Sequence, residues 1–449
     1  MRYRSWGEKE DEASTYTSSM KTDSHIWREV VLTMKAHVIE LYLSGYINRA
    51  SASSLLKALN EFKFDPSGDF EDVHEALESH LLSELGEEGG WVGLGRSRND
   101  HVATALRLKM RTLLIEVLEE ILNARLSMID KSLENRDKIF VAFTHFQPAQ
   151  PSTLSHYLLY LEEEMASRWR NLFHMLRQLN RSPLGSGASV GTLAKLNRER
   201  EAEFLGFQGV VENTLSATSS RADLLSVSAE LVVMLTVISR VAEDLILLSS
   251  LFIDLMELPD SHVSTSSLMP HKRNAVTAEM MRAKTGEAIG ELAAILSIYK
   301  GIPSGYNLDL QQINAHLWSI ADSAKHAIMV LSSAIKGLKL KEDAFQRETW
   351  KLILSADEAE LRAIKGKPFR RAYFEVSEEI RNGRFTTSLS IPSSIYAKEV
   401  LGSPNPAMIE AAIQRSKERL HKDSQDLSQF KEEVEEGIAK LRAMEDELV

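Results

Sequence analysis

The 449-residue sequence contains no cysteine. Disulfides, zinc–thiolate centres and thiol nucleophiles are therefore excluded. Long uncharged apolar runs are also missing. The longest, LILLSSLFI from Leu245 to Ile253, falls well short of the roughly 20 residues that cross a bilayer. Cations are in deficit: 53 Lys and Arg stand against 64 Asp and Glu, a net charge of −11. Nucleic acids and anionic membranes need clustered cations, so neither is an expected partner. An anionic substrate would have to meet cations placed locally. The first residues, MRYRSWGEKEDEASTYTSS, lack the apolar core of a signal peptide, and the expected location is the cytoplasm. Nor is there a Gly-rich phosphate cradle, a metal-spaced His/Asp set or a Gly-x-Ser-x-Gly elbow.

What the sequence has in abundance is helical period. Leu106, Met110, Leu113, Val117, Ile121 and Leu122 recur at three- and four-residue steps, and no Pro or Gly interrupts the stretch from Leu106 to Leu133. A second pattern is expected to start at Pro151, a favourable first-turn residue, and runs through Leu154, Leu158, Leu161, Met165, Trp169, Leu172 and Leu176. Three more cover about 222–256, 275–299 and 308–338. The expected fold is all-α, with five long helices packed as an elongated bundle.

Length alone suggests about three domains, and the pattern divides the same way. An N-terminal helical segment spans 1–95, the long-helix segment 96–348, and a charged C-terminal segment of short helices 349–449, punctuated by Pro392, Pro404 and Pro406. The apolar faces, above all Leu245–Met256, are too wide for a single five-helix layer to bury. Either other subunits or the terminal segments must cover them.

Polar residues gather at the ends of these helices. Gly95-Arg-Ser-Arg-Asn-Asp100 precedes the first; Ser97, Asn99 or Asp100 can cap it, and the bland reading is a cap with solvated arginines. Thr144-His145-Phe-Gln-Pro-Ala-Gln-Pro151 follows an apolar, strand-like IFVAF, where a histidine is more often a satisfied core residue. A Gly-Ser-Gly turn stands at 185–187. Finally, Ser266-Ser-Leu-Met-Pro-His-Lys272-Arg-Asn274 offers a proton acceptor, a cation and an amide donor, with Glu279 able to orient a histidine from elsewhere. Such a set suits a carbanion whose charge flows onto a carboxylate. By spacing alone it is either a catalytic loop or a solvated linker.

Taken together, these clusters resemble the argininosuccinate lyases of the fumarase/aspartase superfamily. Ser266 to Asn274 resembles the superfamily's Ser-Ser-x-Met-Pro-x-Lys-x-Asn loop. GRSRNDHVAT at 95–104 resembles the family's GRSRNDQVAT, THFQPAQP at 144–151 its THLQRAQP, PLGSGA at 183–188 its PLGSGA, and YNLDLQ at 306–311 its YNKDLQ. The resemblance implies elimination of fumarate from argininosuccinate without metal or organic cofactor. It implies Ser266 as base, Lys272 and Asn274 as holders of the aci-carboxylate, and His145 oriented by Glu279 for proton transfer. It implies Ser19, Asp23, Ser97, Asn99, Thr144, Tyr306 and Gln311 as substrate contacts, with Arg98 and Arg221 as supporting cations. It also implies a homotetramer with a twenty-helix core and active sites shared among three subunits. A sister lyase acting on a succinyl-amine such as adenylosuccinate, or a structural member like the delta-crystallins, is the alternative. The sequence departs from the pattern at Gly93-Leu94, Pro148, Ala222, Thr265 and Ala275, and at Asn314, where the family has a substrate-binding lysine.

Overall fold

The computed structural model describes residues 11–341 and 348–449. The first ten residues of the stretch read above for a signal peptide lie outside it. The chain opens with α1 (Asp11–Thr17), α2 (Met20–Asp23), α3 (Trp27–Leu43), α4 (Arg49–Glu61) and α5 (Val73–Leu85). Asn48 and Asp72 cap α4 and α5 by accepting the N–H of Ser51 and Glu75. A 3-10 stretch, Gly86–Gly93, leads to α6 (Arg98–Glu134).

The five long helices are all present. α6 runs 37 residues because nothing in it breaks a helix and its start is doubly capped. The Ser97 hydroxyl accepts the Asn99 N–H while the Asp100 carboxylate takes the N–H of Ser97. At 1.5 Å per residue it is about 55 Å long. Beyond it, β1 (Ile139–Thr144) and β2 (Gln147–Thr153) form an antiparallel hairpin, and α7 (Leu154–Leu179) returns along α6. Pro151 does not start α7. It pairs with Val141 in β2, and Thr153 caps the helix by accepting the His156 N–H. The β-branched and aromatic run in β1 recruits the Pro-containing segment as its partner strand, where a missing N–H is tolerated at an edge.

After α8 (Arg198–Phe204) and α9 (Thr214–Ser219), α10 (Ala222–Ser249) runs parallel to α6. It stops short of the expected 256. The Ser249 and Ser250 hydroxyls bond back to the Leu245 and Leu247 carbonyls, Ser250 turns extended, and Leu251 and Phe252 project into solvent. β3 (Met256–Glu257) follows, then α11 (Val276–Tyr299) and α12 (Gln312–Gly337), and β4 (Lys339–Leu340) pairs with β3. On α12, Ile313, Leu317, Ile320, Ala324, Ile328, Leu331 and Ile335 form one buried stripe. The expectation that the five-helix layer cannot cover its own apolar faces is visible here: among the described residues, Val233, Met280, Ile289, Leu296 and Met329 on α10–α12 remain exposed.

The C-terminal segment differs from its expected short helices. Past α13 (Ser355–Ile364), α14 (Phe369–Arg381) and α15 (Ile391–Tyr396) comes α16 (Pro406–Leu448), 43 residues long. Pro406 sits at its first turn, where no N–H is needed, and Asn405 caps it. α16 lies along α6 and α7, outside the five-helix layer. Gly437 sits where a Cβ would meet Glu203 O at 2.3 Å, so only glycine lets α16 touch the turn after α8. Among α6, α7 and α16, Arg125 is fully buried, donating to Glu162 at 2.9 Å and to Asp423 at 2.6 Å. Ser416 and Arg419 satisfy the other Glu162 oxygen. Replacing Arg125 by Ala strands a buried carboxylate, which costs about 3–5 kcal/mol. The expected outcome is a clearly lower thermal midpoint, checked by scanning calorimetry; an unchanged midpoint would show that the triad contributes nothing.

Candidate active site

The expected site residues fall into two groups at opposite ends of the bundle. The first surrounds the start of α6. Ser97 and Asp100 form its capping box, and the second Asp100 oxygen accepts the Gly187 N–H at 2.9 Å. The Asn99 amide donates to the Ala188 carbonyl at 3.0 Å. The Gly-Arg-Ser-Arg-Asn-Asp motif and the Gly-Ser-Gly turn, 87 residues apart, are thus one structure. Burial pushes the Asp100 carboxyl up to about 6 against the pull of its two backbone donors and Arg96.

Arg98 pairs with Asp72, the cap of α5, and its guanidinium lies 5.9 Å from the centre of the Tyr306 ring. Beside them the Ser19 hydroxyl donates to Asp23 at 2.8 Å, and the Gln311 amide donates to Ser19 at 3.2 Å. Asp23 also accepts the Val73 N–H at 3.1 Å. Burial, reinforced by the Asp72 charge, raises the Asp23 carboxyl to about 7 despite those hydrogen bonds. Arg221 is buried at the start of α10 and donates to the Thr218 and Ser220 carbonyls, while burial lowers its pKa to about 10. The Arg221 Nε and the Tyr306 hydroxyl are buried polar atoms with no hydrogen-bond partner among the described residues, as is the Asn314 Oδ1 one turn beyond Gln311. Buried polar atoms without partners are costly unless something else satisfies them. Together the group can hold a polar ligand with both carboxylates and cations.

Asp72 is a site residue that sequence reasoning missed. Its position just before Val73-His-Glu was a helix-cap signal, yet nothing in the sequence announced that its second oxygen would face Arg98 from 26 residues away.

The second group lies at the other end. Lys131 near the end of α6 donates to the Lys336 carbonyl near the end of α12, and His262 bridges Thr277 of α11 and Ser333 of α12 at 3.0 Å each. Here the Ser266 loop is closed by reciprocal backbone bonds between Ser264 and Asn274, at 2.9 and 2.8 Å. Inside it the Ser266 hydroxyl oxygen accepts the N–H groups of Leu268 at 3.2 Å and Met269 at 3.1 Å. Two backbone donors on one oxygen favour its anionic form. Lys272 and Asn274 are half-buried on the same loop, and Glu279 is exposed on the first turn of α11. His262 and Arg273, which donates to the Leu258 carbonyl at 2.9 Å and pairs with Asp260, anchor the loop's base. Neither was singled out in the sequence.

At the same end the β1–β2 hairpin carries Thr144 and His145, both exposed. His145 and Phe146 have φ of 54° and 58°. Two consecutive left-handed residues make the tight two-residue turn that matches strand twist, and without glycine each costs about 1–2 kcal/mol. The turn pushes the imidazole outward beside a cavity of about 470 Å³ lined by Phe143, Tyr157, Arg240 and Asp244. Tyr157 donates to Asp244 at 2.9 Å beneath it. No ion pair joins His145 to Glu279 within the chain. The histidine therefore is exposed rather than a satisfied core residue.

Gln311 and Ser333 are separated by 22 residues of helix, about 33 Å. One chain therefore cannot bring Ser19, Arg98, Tyr306 and Gln311 to Ser266, nor the α6 start to His145.

Comparison with known proteins is consistent with this geometry. The profile of a family described as "Lyase" matches residues 13–290. The argininosuccinate lyase of Sulfurisphaera tokodaii is 51% identical over 447 residues, covering 100% of this chain and 99% of that protein. That of Sulfolobus acidocaldarius is 48% identical with both chains fully covered, and that of Pyrobaculum calidifontis 42% identical over 91% of this chain and 96% of its own. Among solved structures, EDDS lyase in complex with formate superimposes with a TM-score of 0.85 at 23% identity over 98% of this chain and 96% of that one, a likeness of fold. With relatives of this identity matched from end to end, the chain belongs to the argininosuccinate lyase family of the fumarase/aspartase superfamily.

Proposed function

We propose that the protein eliminates fumarate from argininosuccinate, leaving arginine, at sites assembled from several copies of the chain in a homotetramer located in the cytoplasm. The observation that carries the reading is the end-to-end match to argininosuccinate lyases, which spans both polar ends of the bundle at once. The exposed apolar faces of α10–α12 support the assembly: packed together they give a twenty-helix core, five helices from each of four chains. The division into segments 1–95, 96–348 and 349–449 follows from that core, with the middle segment forming it.

The chemistry needs no group beyond the side chains. Ser266 removes a proton from the succinyl carbon next to the remote carboxylate. The electron pair spreads onto that carboxylate as an aci-form, where Lys272 and Asn274 hold the developing charge. The pair then returns to form the double bond as the C–N bond breaks, and the guanidino nitrogen leaves with a proton delivered by His145, which Glu279 of another copy orients. A serine hydroxyl is a weak base in water; the two backbone N–H donors on its oxygen, the nearby lysine and exclusion of water by loop closure shift the balance. Thr144, Ser97, Asn99, Tyr306 and Gln311 hold the substrate, Arg98 and Arg221 face its carboxylates, and Ser19 with Asp23 faces its cationic arginine end.

Release of fumarate, followed by absorbance, tests the reading: argininosuccinate should turn over and adenylosuccinate should not. Turnover of adenylosuccinate alone would move the assignment to the sister lyase, and turnover of neither would favour a structural role. Ser266→Ala should lower kcat by about 10²–10⁴-fold, the scale of a lost general base, with the oligomer unchanged by light scattering. Near-normal activity would remove Ser266 from that role. Because Asp23 titrates at about 7 in the free protein, its carboxylate forms, and attracts the guanidinium, only as pH rises through that value. kcat/KM should therefore climb across this range in the wild type, and Asp23→Asn should flatten that limb; a limb unchanged in the variant would assign it elsewhere. Finally, mixing Ser266→Ala with Gln311→Ala subunits should restore activity that neither has alone, since some sites in the hybrids draw both residues from intact copies. Hybrids as inactive as the parents would rule out sharing.

A further inference from the structure

Two buried histidines that the proposed reaction does not use lie directly behind the substrate-holding segment. His101 stands in the first turn of α6, with Nε2 3.0 Å from the Val30 carbonyl oxygen of α3. A carbonyl can only accept, so Nε2 carries the proton. Nδ1 lies 2.8 Å from Arg96 Nη1. A guanidinium can only donate, so Nδ1 presents its lone pair. His101 is neutral, its tautomer set from both sides.

Arg96 is itself held at two more points: Nε donates to the Val92 carbonyl at 2.9 Å, and Nη2 pairs with Glu78 of α5. His74, in the first turn of α5, approaches the same His101 nitrogen at 3.3 Å, with ring centres 4.8 Å apart. The starts of α5 and α6 are thus locked to one another and to α3. Directly after Arg96 come Ser97, Arg98 and Asn99, and Arg98 reaches across to Asp72 at the cap of α5. Any loosening between the two helix starts moves that guanidinium. Burial above all, with Arg96 and His74 alongside, holds the His101 imidazole well below its ordinary pKa. The next titratable neighbours, His37 of α3 and the Glu201 of α8 that it meets at 2.9 Å, form a separate pair.

The geometry points to His101 as a positioning residue for substrate binding: through Arg96 it holds the Ser97–Asn99 segment and the Arg98 guanidinium in place without touching the substrate. The inference rests on the assignment of that segment to the substrate made above. What the position requires is one donor toward Val30 and one acceptor toward Arg96. Glutamine supplies both; leucine fills the space and supplies neither.

Purified full-length wild type, His101→Gln and His101→Leu are compared by steady-state kinetics with argininosuccinate and by hydrogen exchange at the amides of residues 98–101. The expected result is a KM raised about tenfold or more in His101→Leu, the scale of one lost buried hydrogen bond, with kcat changed far less. Exchange at 98–101 should accelerate similarly, and His101→Gln should stay near wild type in both. Equal losses in the glutamine and leucine variants, or a lowered thermal midpoint with KM and exchange unchanged, would overturn the inference and leave His101 a packing residue. If His101→Leu does not fold, Arg96→Lys breaks the same link from the other side and should raise KM alike; an unchanged KM there, or failure of both variants to fold, overturns it. Absence of wild-type turnover would count against the reaction assigned above, while the exchange comparison would still decide whether His101 holds the segment.

Discussion

The capping box at Ser97 begins a helix that runs 37 residues before Asn135 ends it, and that unbroken length governs everything else in the molecule. It sets α7, α10 and α12 as companions of similar reach, and it carries the two polar groups to opposite ends. Because a helix is rigid on this scale, no loop motion within one chain joins Ser266 or His145 to Arg98 and Gln311. The same elongation leaves α11 with only a few buried residues, among them Ala278, Met281, Thr285, Ala288 and Ile295, although it lies in the middle of the sequence. Divided polar residues and uncovered apolar faces are therefore two results of one constraint, and the proposed assembly would relieve both.

The two polar ends are built on different physical terms. The end around Ser97 is buried and cross-linked: caps, ion pairs and a neutral histidine fix its donors, and burial displaces the carboxyls of Asp23 and Asp100 upward. The end around Ser266 is exposed and held at its base by His262, Arg273 and the Ser264–Asn274 backbone pair. Under the proposed elimination, the rigid end would discriminate among substrates and closure of the Ser266 loop would exclude water around a developing carbanion.

Much of this was legible beforehand. The five long helices followed from apolar residues at three- and four-residue steps, and a cap at Ser97, Asn99 or Asp100 from residue type, with the structure choosing Ser97. The errors have local causes. Pro151 reads as a helix start, but the β-branched and aromatic Ile139–Phe143 run claims it as a partner strand. Leu245–Met256 reads as continuous helix by hydropathy, yet Ser249 and Ser250 turn their hydroxyls onto the preceding carbonyls and end it. α16 reads as short helices because its charge is dense and its buried residues, such as Ile413, Leu427, Phe430 and Leu441, are widely spaced; packing against α6 and α7 makes that sparse stripe sufficient.

The sequence by itself determined the helical architecture, the absence of thiol chemistry and the set of side chains available for an elimination, because these depend on residue type and on spacing within a few turns. Only the tertiary structure decided which of those side chains meet. Asp72 with Arg98, Ser19 with Gln311, Asp100 with Gly187 and His101 with Val30 are contacts between segments tens to hundreds of residues apart, and local periodicity carries no information about such pairs. The separation of Ser266 and His145 from the group around Ser97 and Arg98 is likewise a matter of helix length and direction, which only the folded chain displays.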